Sequence, residues 1–314
     1  MAQRVAILFP GQASQQVGMG RLACARLAEA RDVFERVDRA VGMPISVACF
    51  EGPADLLQQT SWQQPAVFAC SMALYAAWLA SAPDVVLVGA SGHSLGEYGA
   101  LVAAGALDLE DAAKLVALRG RLMQDAADAA PGGMSAVIGL DRAAVLQICA
   151  DVSRPRAGPQ ETVVLANDNG PDQQVVSGGL PALERVAQAA KSRGARRVVP
   201  LKVAGAFHSP LMQSAVAPLA EALDRMPLGR CAFPVVANAS AEPLVGADDV
   251  RAELIRQVTA PVRWAESMQA LAALGPDAWV DTGPGNVVAG LLARIVPEAT
   301  VVRVAALLDS AAPA

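Results

Sequence analysis

Residues 84–100 read DVVLVGASGHSLGEYGA, and this stretch decides the fold. Residues 84–90 are an apolar, β-branched run of strand length. SGHSLG then makes a tight glycine-rich turn, and a helical pattern follows. Strand, turn and helix in that order are the unit of an α/β fold with a mostly parallel sheet. Upstream, 4–9 (RVAILF) reads as a short buried strand closed by Pro10-Gly11. Residues 20–41 and 64–80 carry helical spacing.

Downstream the rhythm changes. Residues 134–140 read as a strand, 141–152 as a helix, 162–168 and 173–179 as two strands, 180–194 as a helix, and 196–203 as a strand. The order β-α-β-β-α-β is that of a ferredoxin-like module. Pro131-Gly132-Gly133 and Ala204-Gly205-Ala206 supply hinges at its ends. The expected organisation is a large α/β-hydrolase-like body, residues 1–132 and 204–314, with a small ferredoxin-like subdomain, 133–203, inserted in it.

Composition agrees with a globular chain. The 314 residues are 54% hydrophobic and 18% charged, which excludes disorder. Aromatics are only 4%, so the core must come from Ala, Val and Leu. The net charge of −5 offers no basic surplus to a phosphate backbone, so no nucleic-acid partner is expected. Cys24, Cys49, Cys70, Cys149 and Cys231 are scattered and form no CxxC. Neither a disulfide framework nor a metal site is expected, and a reducing compartment fits. The N-terminal apolar run stops at Pro10, too short for a secretory signal. No run of about 18 apolar residues could span a bilayer. The expected setting is cytoplasmic, away from membranes, as a monomer.

Gly92-His93-Ser94-Leu95-Gly96 fits G-x-S-x-G in the strand–turn–helix context of a nucleophile elbow. There the Ser94 hydroxyl stands exposed at the strand end. The Leu95 N–H, at a helix start, can donate to a developing oxyanion. A serine needs a base. The chain has two histidines, and His93 is adjacent to the serine, where consecutive side chains diverge. It reads as a packing or hydrogen-bonding residue under the elbow. His208 is left by elimination. Ser209-Pro210 after it looks like an N-cap followed by Pro at the first helical position, and the helix dipole would keep the ring neutral. Pro218 falls inside the helix expected to follow. For a third member, Asp281 and Gln257 are both candidates.

Arg119 falls on the apolar stripe of its helix with residues 112, 115, 116, 122 and 123. A guanidinium there either pairs with a buried carboxylate or awaits an anionic ligand, and its planar fork suits a carboxylate. The loop 10–15, at a strand's carboxyl end, is where an open α/β sheet lines its ligand crevice. A backbone N–H near Gln12 is a possible second oxyanion donor, against the plainer reading of a polar connection.

Seven ordered blocks resemble the malonyl-CoA:acyl-carrier-protein transacylase family: FPGQASQ (9–15), GHSLGEY (92–98), LRGRLMQ (118–124), the AND-N-P-Q-VVSG pattern within 166–178, GAFHSPLM (205–212), QVTAPVRW (257–264) and DTGPGNV (281–287). The resemblance implies a ping-pong acyl transfer from malonyl-CoA to the phosphopantetheine thiol of an acyl carrier protein, with no metal or redox cofactor. It implies Ser94 as nucleophile, His208 as base, Gln12 and Leu95 as oxyanion donors, and Arg119 as holder of the malonyl carboxylate. Gln257 would orient His208 through its carbonyl. Asn167, Asn169, Met123 and Phe207 join the substrate side, Phe207 at the position associated with malonyl over branched units. One departure stands out. The family's first loop usually reads GQGSQ, and Ala13 replaces its second glycine. The rival readings are an acyl-thioester hydrolase or esterase on the same scaffold and an inactive carrier-binding module. The carrier could belong to fatty-acid or polyketide synthesis.

Overall fold

The computed structural model describes residues 2–82 and 84–310. Among the described residues ten strands fall in chain order: β1 (Gln3–Phe9), β2 (Val85–Gly92), β3 (Gly133–Ile138), β4 (Val163–Asp168), β5 (Gln173–Gly178), β6 (Arg197–Pro200), β7 (Val235–Val236), β8 (Pro243–Leu244), β9 (Ala278–Asp281) and β10 (Val301–Arg303). They form two sheets. The first has the order β10-β9-β1-β2-β7-β8, parallel except for the β7–β8 pair. The second has the order β4-β5-β3-β6, with antiparallel neighbours.

The uninterrupted apolar run in 4–9 is explained by burial on both faces of β1. Val5, Ile7 and Phe9 point into one core, packed by the helices Ala28–Val41 and Thr60–Ser81. Ala6 and Leu8 point into a second core around Trp264, Leu271 and Leu292. A strand covered by helices on both sides has no polar face to alternate with. The antiparallel sheet has a core of its own, built from Val137, Val145, Ile148, Val176 and Val186.

Register places the functional loops. Phe9 lies opposite Gly92 in the β1–β2 ladder, and Leu8 opposite Asp281 in β1–β9. The loop after β1, the elbow after β2 and the turn after β9 therefore leave the sheet side by side. Ala90 of β2 pairs with Val235 of β7, so the segment following β7 reaches the same rim. The antiparallel sheet touches the body here through Asp168 N–H to Val262 O (2.9 Å) and Val262 N–H to Ala166 O (2.8 Å).

Local differences from the sequence expectation have physical reasons. The run 20–41 is two helices, Arg21–Arg26 and Ala28–Val41, because Leu27 takes an extended backbone and packs on the core. Packing overrides propensity there. The strand expected over 196–203 ends at Pro200, with one further bond from Leu201 N–H to Met134 O (2.9 Å), and Leu201 and Val203 line a cavity. The helix expected after Ser209 begins as a tighter 3₁₀ segment, Pro210–Ala215, and becomes α-helical only at Val216–Asp224. Pro218 thus sits in the first α-turn, where its missing N–H costs nothing. Among the described residues no helix is long and apolar enough to cross a membrane.

Candidate active site

The elbow is built by close approach. A Cβ on Gly92 would lie 1.9 Å from the carbonyl carbon of Gly96, and one on Gly96 would lie 2.3 Å from Phe9 O. Only glycines allow this turn. Between them Ser94 takes φ 51, a left-handed conformation strained for any residue with a side chain. The helix Gly96–Ala103 follows, with Leu95 at its N-cap. Among the described residues, neither the Leu95 nor the Gln12 backbone N–H has an internal acceptor. Leu95 is buried in the elbow and Gln12 lines the cavity facing Ser94.

His208 meets the serine. The Ser94 Oγ–H donates to His208 Nε2 at 2.8 Å. Nδ1 faces two carbonyl oxygens, Gln257 O at 2.9 Å and Ala260 O at 3.2 Å, so the hydrogen-bond network puts the ring proton on Nδ1 and leaves Nε2 free to accept. Burial and then the nearby Arg119 cation draw the ring's pKa down from 6.5 to about 3. A helix dipole was the expected cause. Desolvation and a neighbouring charge do this instead. The ring is neutral at physiological pH, as a base must be.

Of the two candidates for the third member, Gln257 is the one in contact. Asp281 is turned away: its Oδ1 accepts from Gly283 N–H (2.7 Å) and its Oδ2 from Ala289 N–H (3.3 Å), tying down the turn after β9. Burial raises its carboxyl to about 6.

Arg119 is fully buried, and all three of its hydrogen-bond acceptors are neutral. Nη1 donates to Gln64 Oε1 (2.7 Å), and Nη2 donates to Gln257 Oε1 (3.0 Å) and to Ser94 Oγ (3.1 Å). Among the described residues its Nε has no partner. The Tyr98 ring lies 5.9 Å from the guanidinium carbon, within cation–π range. The helix Leu109–Ala129 can bring Arg119 to Gln64 because Gly120 lets the two helices cross closely. A Cβ there would be 2.9 Å from Thr60 O. Among the described residues no carboxylate bonds the guanidinium directly.

The cavity in front of Ser94 is lined by Gln12, His93, Asn167, Asn169, Phe207 and His208, with Leu201, Val203 and Val287 toward its mouth. His93 donates from Nε2 to Asn169 Oδ1 (2.9 Å) and packs on Trp264, ring centroids 5.2 Å apart. It is a buried hydrogen-bonding residue, as read from its place on the elbow. Met123 does not line the cavity. Its side chain is buried beside Gln64, whose amide donates to its sulfur at 3.5 Å.

Four buried residues joined to this site were missed. Gln63 and Gln64 are buried polar neighbours on the helix Thr60–Ser81, and Gln63 Oε1 accepts from the Gln12 amide. Glu97 is an acid in a fully buried helix turn. The reasoning that singled out Arg119 finds these three as well. Asn238 carries no such signal. It lies just past β7, where its Oδ1 accepts from Ser94 N–H (2.6 Å) and its Nδ2 donates to Gly92 O (2.8 Å), clamping the elbow.

The same arrangement of elements is known elsewhere. The family model described as "Acyl transferase domain" matches residues 7–313. The malonyl CoA-acyl carrier protein transacylase of Bacillus subtilis (strain 168) is 38% identical over 294 residues, covering 93% of this chain and 90% of that protein. The solved structure of the malonyl CoA-acyl carrier protein transacylase from Coxiella burnetii superposes with a TM-score of 0.92 at 34% identity, covering 99% of this chain and 97% of that one. A structure of a type II PKS acyl-carrier protein in complex with its malonyl-transacylase gives a TM-score of 0.91 at 35% identity, with 98% of each chain covered.

Proposed function

The chain belongs to the acyl transferase domain family, with malonyl CoA-acyl carrier protein transacylases as its relatives, and from that premise we propose that it moves malonyl from malonyl-CoA to the phosphopantetheine thiol of an acyl carrier protein. The observation that carries this reading is Arg119. A buried guanidinium with only neutral acceptors sits one hydrogen bond from the serine hydroxyl. A hydrolase of neutral acyl groups gains nothing from such a charge, and an idle carrier-binding module has no use for the neutral His208 against Ser94.

The reaction runs in two halves. Ser94 Oγ attacks the thioester carbonyl as its proton passes to His208 Nε2. The Leu95 and Gln12 N–H groups receive the oxyanion, and losing one such donor costs about 100- to 1000-fold in rate. Collapse breaks the C–S bond, and the CoA sulfur leaves as a thiol with the proton held on Nε2. In the second half the carrier's thiol gives its proton to the same nitrogen and attacks the malonyl-Ser94 ester. Ser94 leaves and recovers the proton. Arg119 holds the free carboxylate through both halves, where a bidentate pair suits its fork. Phe207 and Asn167 line the cavity before Ser94, and a bulky ring at 207 would disfavour a methyl branch on the acyl group.

The segment 133–203 acts in this reading as a ferredoxin-like subdomain inserted in the body 1–132 and 204–314. The β4-β5-β3-β6 order and separate core of its sheet support that division. All five cysteines are free thiols, which supports a reducing setting such as the cytoplasm.

Mass spectrometry after brief exposure to malonyl-CoA tests the reading. One malonyl group is expected on the wild type and none on Ser94→Ala, with the label passing to holo carrier protein. Rapid loss of the adduct to water, with no transfer, would instead favour the hydrolase.

A further inference from the structure

Glu97 is a fully buried carboxylate that the steps above leave without a task. Its Oε1 accepts from Asn238 N–H at 2.9 Å, and its Oε2 accepts from the Gln257 side-chain amide. Burial and then the nearby Glu253 carboxylate push its pKa up, while these N–H donors and Arg119 oppose the rise. Donors on both oxygens leave no acceptor for a carboxylic O–H, so the hydrogen bonds fit the ionised form.

The Gln257 amide stands between two groups of opposite character. Arg119 only donates, so it must face the amide oxygen. Glu97 as a carboxylate only accepts, so it must face the amide nitrogen, which also donates to Ser94 O at 3.0 Å. A carboxylate on one side and a guanidinium on the other leave the amide one orientation. The Gln257 backbone carbonyl meanwhile holds His208.

We propose that Glu97 is a positioning residue for acyl selectivity: by holding the Gln257 amide with its oxygen toward Arg119, it fixes the guanidinium beside Ser94, where a carboxylate-bearing acyl group must be met. This rests on the malonyl-transfer reading. Glu97 touches no reacting atom. It acts through Gln257 on the cation, and through Asn238 on the elbow.

Glu97→Gln tests it, because the new amide keeps the shape but faces donors on both sides. Either it confronts the Asn238 N–H with its own NH₂, or the Gln257 amide turns and presents NH₂ to Arg119. The readout is the ratio of single-turnover Ser94 acylation rates with malonyl-CoA and acetyl-CoA. The expected result is a fall in that ratio of about tenfold or more, and no further fall when the change is added to Arg119→Ala. Gln257→Met, which keeps the backbone carbonyl and removes the amide, is expected to do the same and carries the test should Glu97→Gln not fold. A smaller change in the ratio, or equal slowing of both substrates, overturns the proposal. Failure of the wild type to form malonyl-Ser94 would sink the parent reading instead.

Discussion

Arg119 donates from Nη2 to the Oγ of Ser94 at 3.1 Å, so the buried cation and the hydroxyl are joined before any acyl group arrives. The hydroxyl uses its proton on His208 and a lone pair on Arg119. An acyl group on Ser94 then grows directly beside the guanidinium, and a terminal carboxylate can exchange for neutral acceptors such as Gln64.

Arg119→Ala removes this partner. A hydrogen bond to a charged group is worth about 1.5–3 kcal/mol, so acylation by malonyl-CoA should fall roughly 10- to 150-fold in kcat/KM. Acetyl-CoA, which has no carboxylate, should fall much less. Parallel kinetics with the two thioesters check this. Equal losses would mean that the cation serves the fold and not the substrate.

The state of His208 predicts an unusual pH profile. With its pKa at about 3, the ring stays unprotonated across the range where an exposed histidine titrates. Single-turnover acylation should show no limb near pH 6.5 from this group. Asp281, at about 6, titrates in the same range, so the profile belongs in Asp281→Asn as well. Glu97, whose pKa burial raises, is a second such group, so a limb at 6–7 surviving both Asp281→Asn and Glu97→Gln would contradict the buried, neutral base. Stability follows from the sign. The folded pKa lies below the unfolded one, so the unfolded chain takes up the proton first. The contribution is complete above about pH 6.5 and is lost as pH falls toward 3. Arg119→Met removes the second cause of the depression, and the ring's pKa, followed by NMR, should move up.

The elbow's strain has a visible restraint in Asn238. Its side chain closes hydrogen bonds to Gly92 O and Ser94 N–H, on either side of His93. Asn238→Ala leaves both groups buried and unpaired, at a cost of about 1–3 kcal/mol each. Urea midpoints should fall accordingly, and acylation should slow alike for malonyl- and acetyl-CoA. Lowered stability with undiminished acylation would show that Ser94 holds its φ of 51 without this clamp.

What was legible in the sequence depended on periodicity and on local chemistry. Strand β1 and the elbow could be read because apolar runs and glycines act over a few residues. Arg119 could be read because a charge on an apolar stripe is costly wherever the helix packs. The choice between Asp281 and Gln257 could not, since both lie at the rim and only the tertiary arrangement brings Gln257 O within 2.9 Å of the ring. Asn238 was hidden for the same reason. Its role comes from β7 lying beside β2, a pairing over a separation of more than a hundred residues. Met123, placed on the substrate side by the family resemblance, is buried against the Gln64 amide, a contact between two helices that the local sequence does not announce.

The first loop carries strain of its own. Ala13 has φ 72, where the usual family residue is glycine. The loop nevertheless keeps its turn, held by Ser14 Oγ–H to Gly11 O (2.7 Å) and by the Gln12 amide on Gln63. The left-handed backbone costs a non-glycine residue about 1–2 kcal/mol, and glycine forfeits roughly 0.5–1 kcal/mol through its freer unfolded chain. The first effect is the larger. Ala13→Gly should therefore stabilise the protein by about 0.5–1 kcal/mol, seen as a higher urea midpoint at unchanged slope. A lower midpoint would mean that the alanine's side chain gains more from packing against the cavity wall than its backbone loses, and that the departure from glycine is a favourable contact and not a tolerated strain.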